Sequence, residues 1–234
     1  MADAVEETAE VKPAAPEFRD LGTLLRSVIV LLVLCGIAAV VALILRGFEY
    51  LLLVRMANGE FATTADMAAA ASVSDTRVQI ASGGRAIFFV LAAIPFGMWI
   101  YRATKNLRAL GAANLTVSPG WAVGSYFVPI VNFFAPYLAM REIWRASLDP
   151  GNWPAARSTP LLGWWWFLWL TNTISGSVAT GMLSGAKDVE AAKAASLVAA
   201  GQNMIQIALC AVAILLLRRI TANQLWQARL FEVF

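Results

Sequence analysis

Five stretches of this chain carry no Asp, Glu, Lys or Arg: residues 27–45, 86–101, 109–140, 158–186 and 194–217. Together they make up roughly half of the chain, and a soluble domain of this size has no interior large enough to hide so much uncharged apolar sequence. Composition agrees: 59% of the 234 residues are apolar and 14% charged, against about 45–50% and about 25% in soluble domains. The chain therefore reads as all-α, a polytopic membrane helix bundle whose main solvent is the lipid bilayer.

The same composition removes whole classes of chemistry. There is no histidine, so a His-ligated haem or zinc, a Ser-His-Asp triad and a Cys-His pair are excluded. The two cysteines, Cys35 and Cys210, lie deep in apolar stretches with no metal or redox spacing. Phosphate-binding loops, paired catalytic carboxylates and nucleophile elbows are absent from the sequence. No cofactor, no metal and no enzymatic activity are expected. The net charge of +3 is no nucleic-acid signal, because the basic residues sit at the ends of apolar stretches, where membrane orientation selects them.

Residues 1–20 hold six acids with Pro13 and Pro16 and little to pack, an acidic and disordered tail. They lack the basic n-region of a signal peptide, and Leu34 before Cys35 argues against a lipoprotein site, so the first span is expected to stay as an anchor. Spans are predicted at about 24–45, 83–102, 161–183 and 197–217, within one transmembrane domain over 21–219. Arg26 and Arg46 are placed to snorkel at the ends of the first. Asn58-Gly59 should break the chain, leaving an extramembrane loop over 58–82 in which 63–82 reads as a short helix and turn, with Ser74-Asp75 as an N-cap for the second span. Pro95 and Gly97 predict a kink in that span, and Gly111 a stop. A short amphipathic helix is expected over 220–234.

The stretch 109–140 is long enough to cross, yet it holds Pro119, Pro129 and Pro136, each removing a helical donor. Counting Lys and Arg decides its course. If it crosses, giving five spans, eight basic residues fall inside and ten outside. If 119–140 is re-entrant, giving four spans, twelve fall inside and six outside. The re-entrant arrangement follows, with both termini and the region from 102 to 159 in the cytoplasm. Eight of the nine tryptophans lie between Trp99 and Trp169, along the same predicted interface.

Two groups of residues stand out. Glu142 is the sole acid between Asp75 and Asp149, where seven basic residues fall. It is expected to pair with Arg102, Arg141 or Arg145, and with Asn106 and Asn132 it forms a candidate polar cluster, Arg102, Asn106, Asn132 and Glu142. That cluster is read first as a structural staple and second as a pocket for an anionic headgroup or solute. Thr173, Ser177, Gly181 and Gly185, at strict four-residue spacing, form a ridge suited to close helix packing. The amides Asn172, Gln202, Asn203 and Gln206 lie within spans and read as interhelical hydrogen bonds.

Several motifs carry a resemblance: Trp99-Ile100-Tyr101-Arg102, then Asn106-Leu107-Arg108-Ala109-Leu110-Gly111 and Ser118-Pro119-Gly120-Trp121-Ala122-Val123-Gly124. Tyr126-Phe127-Val128-Pro129-Ile130-Val131-Asn132 and Pro136 follow, then Met140-Arg141-Glu142-Ile143-Trp144-Arg145-Ala146-Ser147 and Leu162-Gly163-Trp164-Trp165. In order and spacing this region, 99–166, resembles a bacterial membrane-protein family, domain of unknown function 4328. The resemblance implies a bacterial inner-membrane location and the fold, and carries no mechanism. The leading functional expectation is a non-enzymatic accessory or scaffold subunit that packs against another membrane protein or itself. The alternative is a small-solute or lipid transporter or channel using a polar pocket around Arg102 and Glu142. A lipid-modifying enzyme ranks last.

Overall fold

A computed structural model describes residues 17–233, and within them the chain is helical with no strand. The elements are α1 (Gly22–Ala57), α2 (Thr64–Ala109), α3 (Pro119–Gly124), α4 (Ala135–Leu148), α5 (Pro160–Gly185) and α6 (Val189–Val233). Two 3₁₀ turns, Ser125–Phe127 and Val131–Phe133, lie between α3 and α4. Of the acidic tail read over 1–20, residues 1–16 lie outside the described residues, as does Phe234.

Helix ends follow local chemistry. Asn58 closes α1 and Gly59 takes φ +70°, the left-handed conformation that stops a helix. At the start of α2 the Thr63 hydroxyl accepts from the Asp66 N–H and donates to the Asp66 carboxylate, a reciprocal cap. Gly111, at φ +84°, ends the turn after α2. Ser118-Pro119 and Thr159-Pro160 open α3 and α5 alike: a hydroxyl accepts a backbone N–H while proline sits where no donor is needed.

Two expectations about the elements are corrected. The short helix expected over 63–82 is present but not separate: α2 runs unbroken from Thr64 through Ser74-Asp75 into the second span, and only the turn to Thr63 divides it from α1. Ala68–Ala71 is a run of the strongest helix former, which outweighs an internal capping signal. No separate helix forms over 220–234 either, because the residues after the Arg218-Arg219 pair continue α6 to Val233. At about 1.5 Å per residue, α2 and α6 are each nearly 70 Å long, more than twice the roughly 30 Å of a hydrocarbon core.

α1 and α6 form the centre of the bundle, packed against each other, with α2 added on α1 and α5 on α6; α2 and α5 hardly touch. Three helices, α1, α2 and α6, are long and apolar enough to cross a membrane. Only 22%, 22% and 39% of their most apolar segments is buried inside the bundle, so the greater part of that apolar surface faces outward. Water would penalise such a surface heavily, whereas lipid does not. The helix α5 is uncharged throughout, with Thr, Ser, Asn and Gly interleaved among its Trp, Leu and Phe residues.

One end of the bundle gathers the first and last parts of the described chain. Asn106 of α2 brackets Arg19, accepting its backbone N–H (3.1 Å) and donating to its carbonyl (2.8 Å). The Asn106 amide also donates to the Gln224 carbonyl oxygen of α6 (3.1 Å), and the Gln224 amide donates to the Ala103 carbonyl and the Ser147 hydroxyl of α4 (3.0 Å each). One turn earlier, the Trp99 indole donates to Thr221 (3.2 Å). The chain leaves α2 and re-joins at α5 at this same end, where Leu162 and Trp165 share a core with Leu21, Trp99 and Ile100.

The segment 119–134 therefore begins and ends at the same end of the bundle. Its Tyr126 ring makes edge contacts with Phe96 of α2 (6.2 Å) and Trp169 of α5 (6.4 Å), filling the gap between those two helices. Trp169 stands about 13 Å beyond the start of α5 along its axis, so the wedge reaches well into the bundle. Its tip is a tight turn in which the Val131 N–H donates to the Pro129 carbonyl (2.7 Å) with Ile130 at φ +66°. A β-branched residue there costs of order 1–3 kcal/mol. Phe127, Ile130 and Phe134 point outward from the tip, 80%, 75% and 65% exposed.

The amide pair is a single unit. Asn106→Ala and Gln224→Ala are each expected to destabilise the protein by about 2 kcal/mol or more, since each strands buried partners. The double variant should cost clearly less than the sum of the two. Unfolding midpoints of the purified protein in one detergent measure this cycle, and strict additivity would show that the two amides act separately.

Candidate functional site

The four residues of the expected polar cluster are not assembled into one site. Asn106 is fully engaged at the end of the bundle, as above. Arg102, one turn before it on α2, makes no salt bridge among the described residues and lines a groove with Lys105. Asn132 lies in the second 3₁₀ turn, its Oδ1 buried without a partner, like the hydroxyls of Ser125 and Tyr126 in the same wedge. Glu142 is buried on α4 and pairs with none of the three arginines proposed for it.

Instead, the Glu142 carboxylate accepts the backbone N–H groups of Thr116 and Val117 (3.0 Å each) and the Thr116 hydroxyl. It pins the loop between α2 and α3 onto α4. Glu142 is buried, and Arg145, three residues further along the same helix, donates to Ser158 instead (2.9 Å). Backbone donors reach a buried carboxylate without bringing a second long charged side chain into the core. The Trp153 indole donates to the Ala113 carbonyl (2.8 Å) and the Trp144 indole to the Arg157 carbonyl (3.1 Å), tying down both flanks of the same region.

The small-residue ridge does not pack within the chain. Thr173, Ser177, Gly181 and Gly185 are all exposed, on the side of α5 turned away from α6. The side facing α6 carries Asn172, Gly176 and Ala179: the Gln202 amide donates to Asn172 (2.9 Å), and a Cβ on Gly176 would meet the Gln202 side chain at 3.9 Å. The Thr173 and Ser177 hydroxyls donate back to carbonyls four residues earlier, so the ridge presents a smooth surface with its polar hydrogens spent. Of the remaining span amides, Asn203 donates to the Ala199 carbonyl and Gln206 to the Cys210 sulfur, both within α6.

Two concave features remain. A groove of about 720 Å³ runs along α2 beside the wedge, walled by Phe89, Ile94, Met98, Val123 and Phe127, with Arg102, Lys105 and Arg19 at one end. Gly97 lets the wedge approach there, since a Cβ would lie 3.4 Å from Val123. At the opposite end of the bundle is a polar cluster that sequence reasoning missed. Arg85 of α2 donates from one guanidinium nitrogen to both Gln202 (2.7 Å) and Asn203 of α6. Arg46 of α1, expected to snorkel into water, is only 12% exposed and pairs with Glu49 (2.7 Å), which also accepts from Ser196 (2.9 Å). The available signal was an arginine two residues inside a predicted span with amides at matching depth on another.

Geometry thus defines a bundle of membrane-length helices with a re-entrant wedge. The chain belongs to the family described as Domain of unknown function (DUF4328), whose match covers residues 62–222, from the start of α2 through most of α6. No curated protein and no solved structure matches the chain.

Glu142→Gln is expected to lower stability by about 2 kcal/mol, since an amide can accept at one atom only and sets an N–H against a backbone N–H. Limited proteolysis should then cut faster between Gly111 and Ser118 than in the parent protein. Unchanged cutting and an unchanged melting temperature would show that the carboxylate does not hold the loop.

Proposed function

We propose that this protein is a non-enzymatic accessory or scaffold subunit in the bacterial inner membrane, packing through α5 against a membrane partner or a second copy of itself. The outward ridge Thr173, Ser177, Gly181 and Gly185 carries this reading. Small residues let helix backbones approach closely, which is the main source of association where lipid removes the hydrophobic drive. The proposed topology is four passes, with both termini and the region from 102 to 159 in the cytoplasm; the excess of Lys and Arg on that side supports it.

The ridge and the topology are tested together in a Cys35→Ala, Cys210→Ala background. Ser177→Cys should crosslink to a partner or to itself in membranes. Gly181→Leu should abolish co-purification with that partner while leaving the melting temperature within a few degrees. A cysteine placed by Asn152→Cys should resist impermeant reagents applied from outside the cell. Retention of the partner by Gly181→Leu sinks the ridge reading, and labelling at position 152 sinks the topology.

The groove beside α2 supports a second reading, movement or holding of a lipid or small amphipathic solute, because its apolar walls end at Arg102 and Lys105. Glu142 takes no part in it. Loss of flux in proteoliposomes on Arg102→Ala, with partner retention unchanged, would favour this reading over the first.

A further inference from the structure

We infer that the end of the bundle around Arg46 and Arg85 is a binding site for a phosphate-type oxyanion. A cavity of about 260 Å³ lies there, in the part of the gap between α2 and α5 that the aromatic wedge does not fill. Its walls come from all four long helices: Arg46 from α1, Ser82 and Arg85 from α2, Gly176 and Thr180 from α5, Gln202 from α6. At about 30 Å³ for a water molecule, the space holds roughly eight waters, or a tetrahedral anion with its hydration.

Charge indicates what the cavity recognises. Two guanidinium groups line it, and the carboxylate beside them, Glu49, is already held by Arg46 and Ser196. Arg85 has no carboxylate within salt-bridge distance among the described residues; its recorded partners, Gln202 and Asn203, are neutral amides. The local balance is one positive charge, half-buried between apolar helices, where an unpaired ion costs several kcal/mol. Neutral amides orient a guanidinium without neutralising it, and both contacts use the same nitrogen, Nη1, leaving the rest of the fork for another acceptor.

The amides are themselves locked. The Gln202 amide donates to Asn172 (2.9 Å) and that of Asn203 to the Ala199 carbonyl (2.9 Å), so each amide is oriented with its oxygen aimed at Arg85. Donors open to a guest include the charged guanidinium N–H groups and the Ser82 hydroxyl. Planar guanidinium forks match the oxygens of phosphate in spacing and in charge. The guest can be the phosphodiester of an anionic lipid sliding in between α2 and α5, or a water-soluble phosphate. Both present the same oxygens.

The test uses the full-length protein, purified in detergent and in nanodiscs. Inorganic phosphate in the millimolar range should raise the melting temperature in detergent if the soluble ion is the guest. If the lipid is the guest, nanodiscs of phosphatidylglycerol should raise it relative to phosphatidylcholine, with phosphate silent. Either response supports the site if Arg85→Gln weakens it at least about ten-fold, as expected for loss of a charged hydrogen-bonding partner. Arg85→Gln can disturb the fold, so Thr180→Leu is the second variant: it leaves both arginines in place and fills the cavity from an exposed position, and it should weaken the same response. Absence of any response in the parent protein, or a response that survives in Thr180→Leu and in folded Arg85→Gln, overturns the proposal.

Discussion

Asn106 and Gln224 are primary amides buried in two different helices, and each brings two donors and an acceptor into a region closed off from bulk solvent. Their solution is mutual. Asn106 spends its groups on the Arg19 backbone and on Gln224, and Gln224 spends its own on Asn106, the Ala103 carbonyl and Ser147. Every polar atom is satisfied, so burial strengthens the network instead of penalising it. Four parts of the chain are located by these two side chains: the start of α1, the end of α2, the end of α4 and the last third of α6. The geometry at this end of the bundle depends on them.

With that end closed, the gap between α2 and α5 becomes the main structural problem, because those flanking helices hardly touch. The near half is filled by backbone that is not a regular helix, since Pro129 and the positive φ of Ile130 interrupt it, and is sealed by Phe96, Tyr126 and Trp169 stacked edge to face. Irregular backbone at such depth is tolerated where protein covers it, and Glu142 helps by anchoring the incoming loop through three hydrogen bonds. The far half is lined by Arg46 and Arg85 instead of aromatic rings. One gap thus has an apolar plug at one end and a cationic pocket at the other.

The two carboxylates closest to these features show how burial sorts charge. Glu49 faces an arginine three residues away on its own helix, and the pair is sealed together with Ser196. Glu142 sits among arginines in sequence, yet backbone amides reach it first. A carboxylate takes whichever donors its helix face offers, and sequence proximity to a cation does not decide which those are.

Helical class and membrane character were legible in the chain because both depend on local composition: long uncharged stretches can be satisfied only as helices in lipid. The turn at Asn58-Gly59 and the stop at Gly111 were legible too, since glycine acts on its own backbone. The family resemblance, carried by the motifs from Trp99 to Trp165, likewise needed only order and spacing. Helix lengths were less legible, because Ser74-Asp75 has the look of a cap and only the strength of the alanine run before it decides otherwise. What the tertiary structure alone decided was partnership. Whether Glu142 meets an arginine or a backbone N–H, whether the ridge on α5 faces α6 or outward, and whether Arg46 reaches water or Glu49 all depend on the rotation of one helix against another. That rotation is set by the sum of many distant contacts, which no local pattern of residues records.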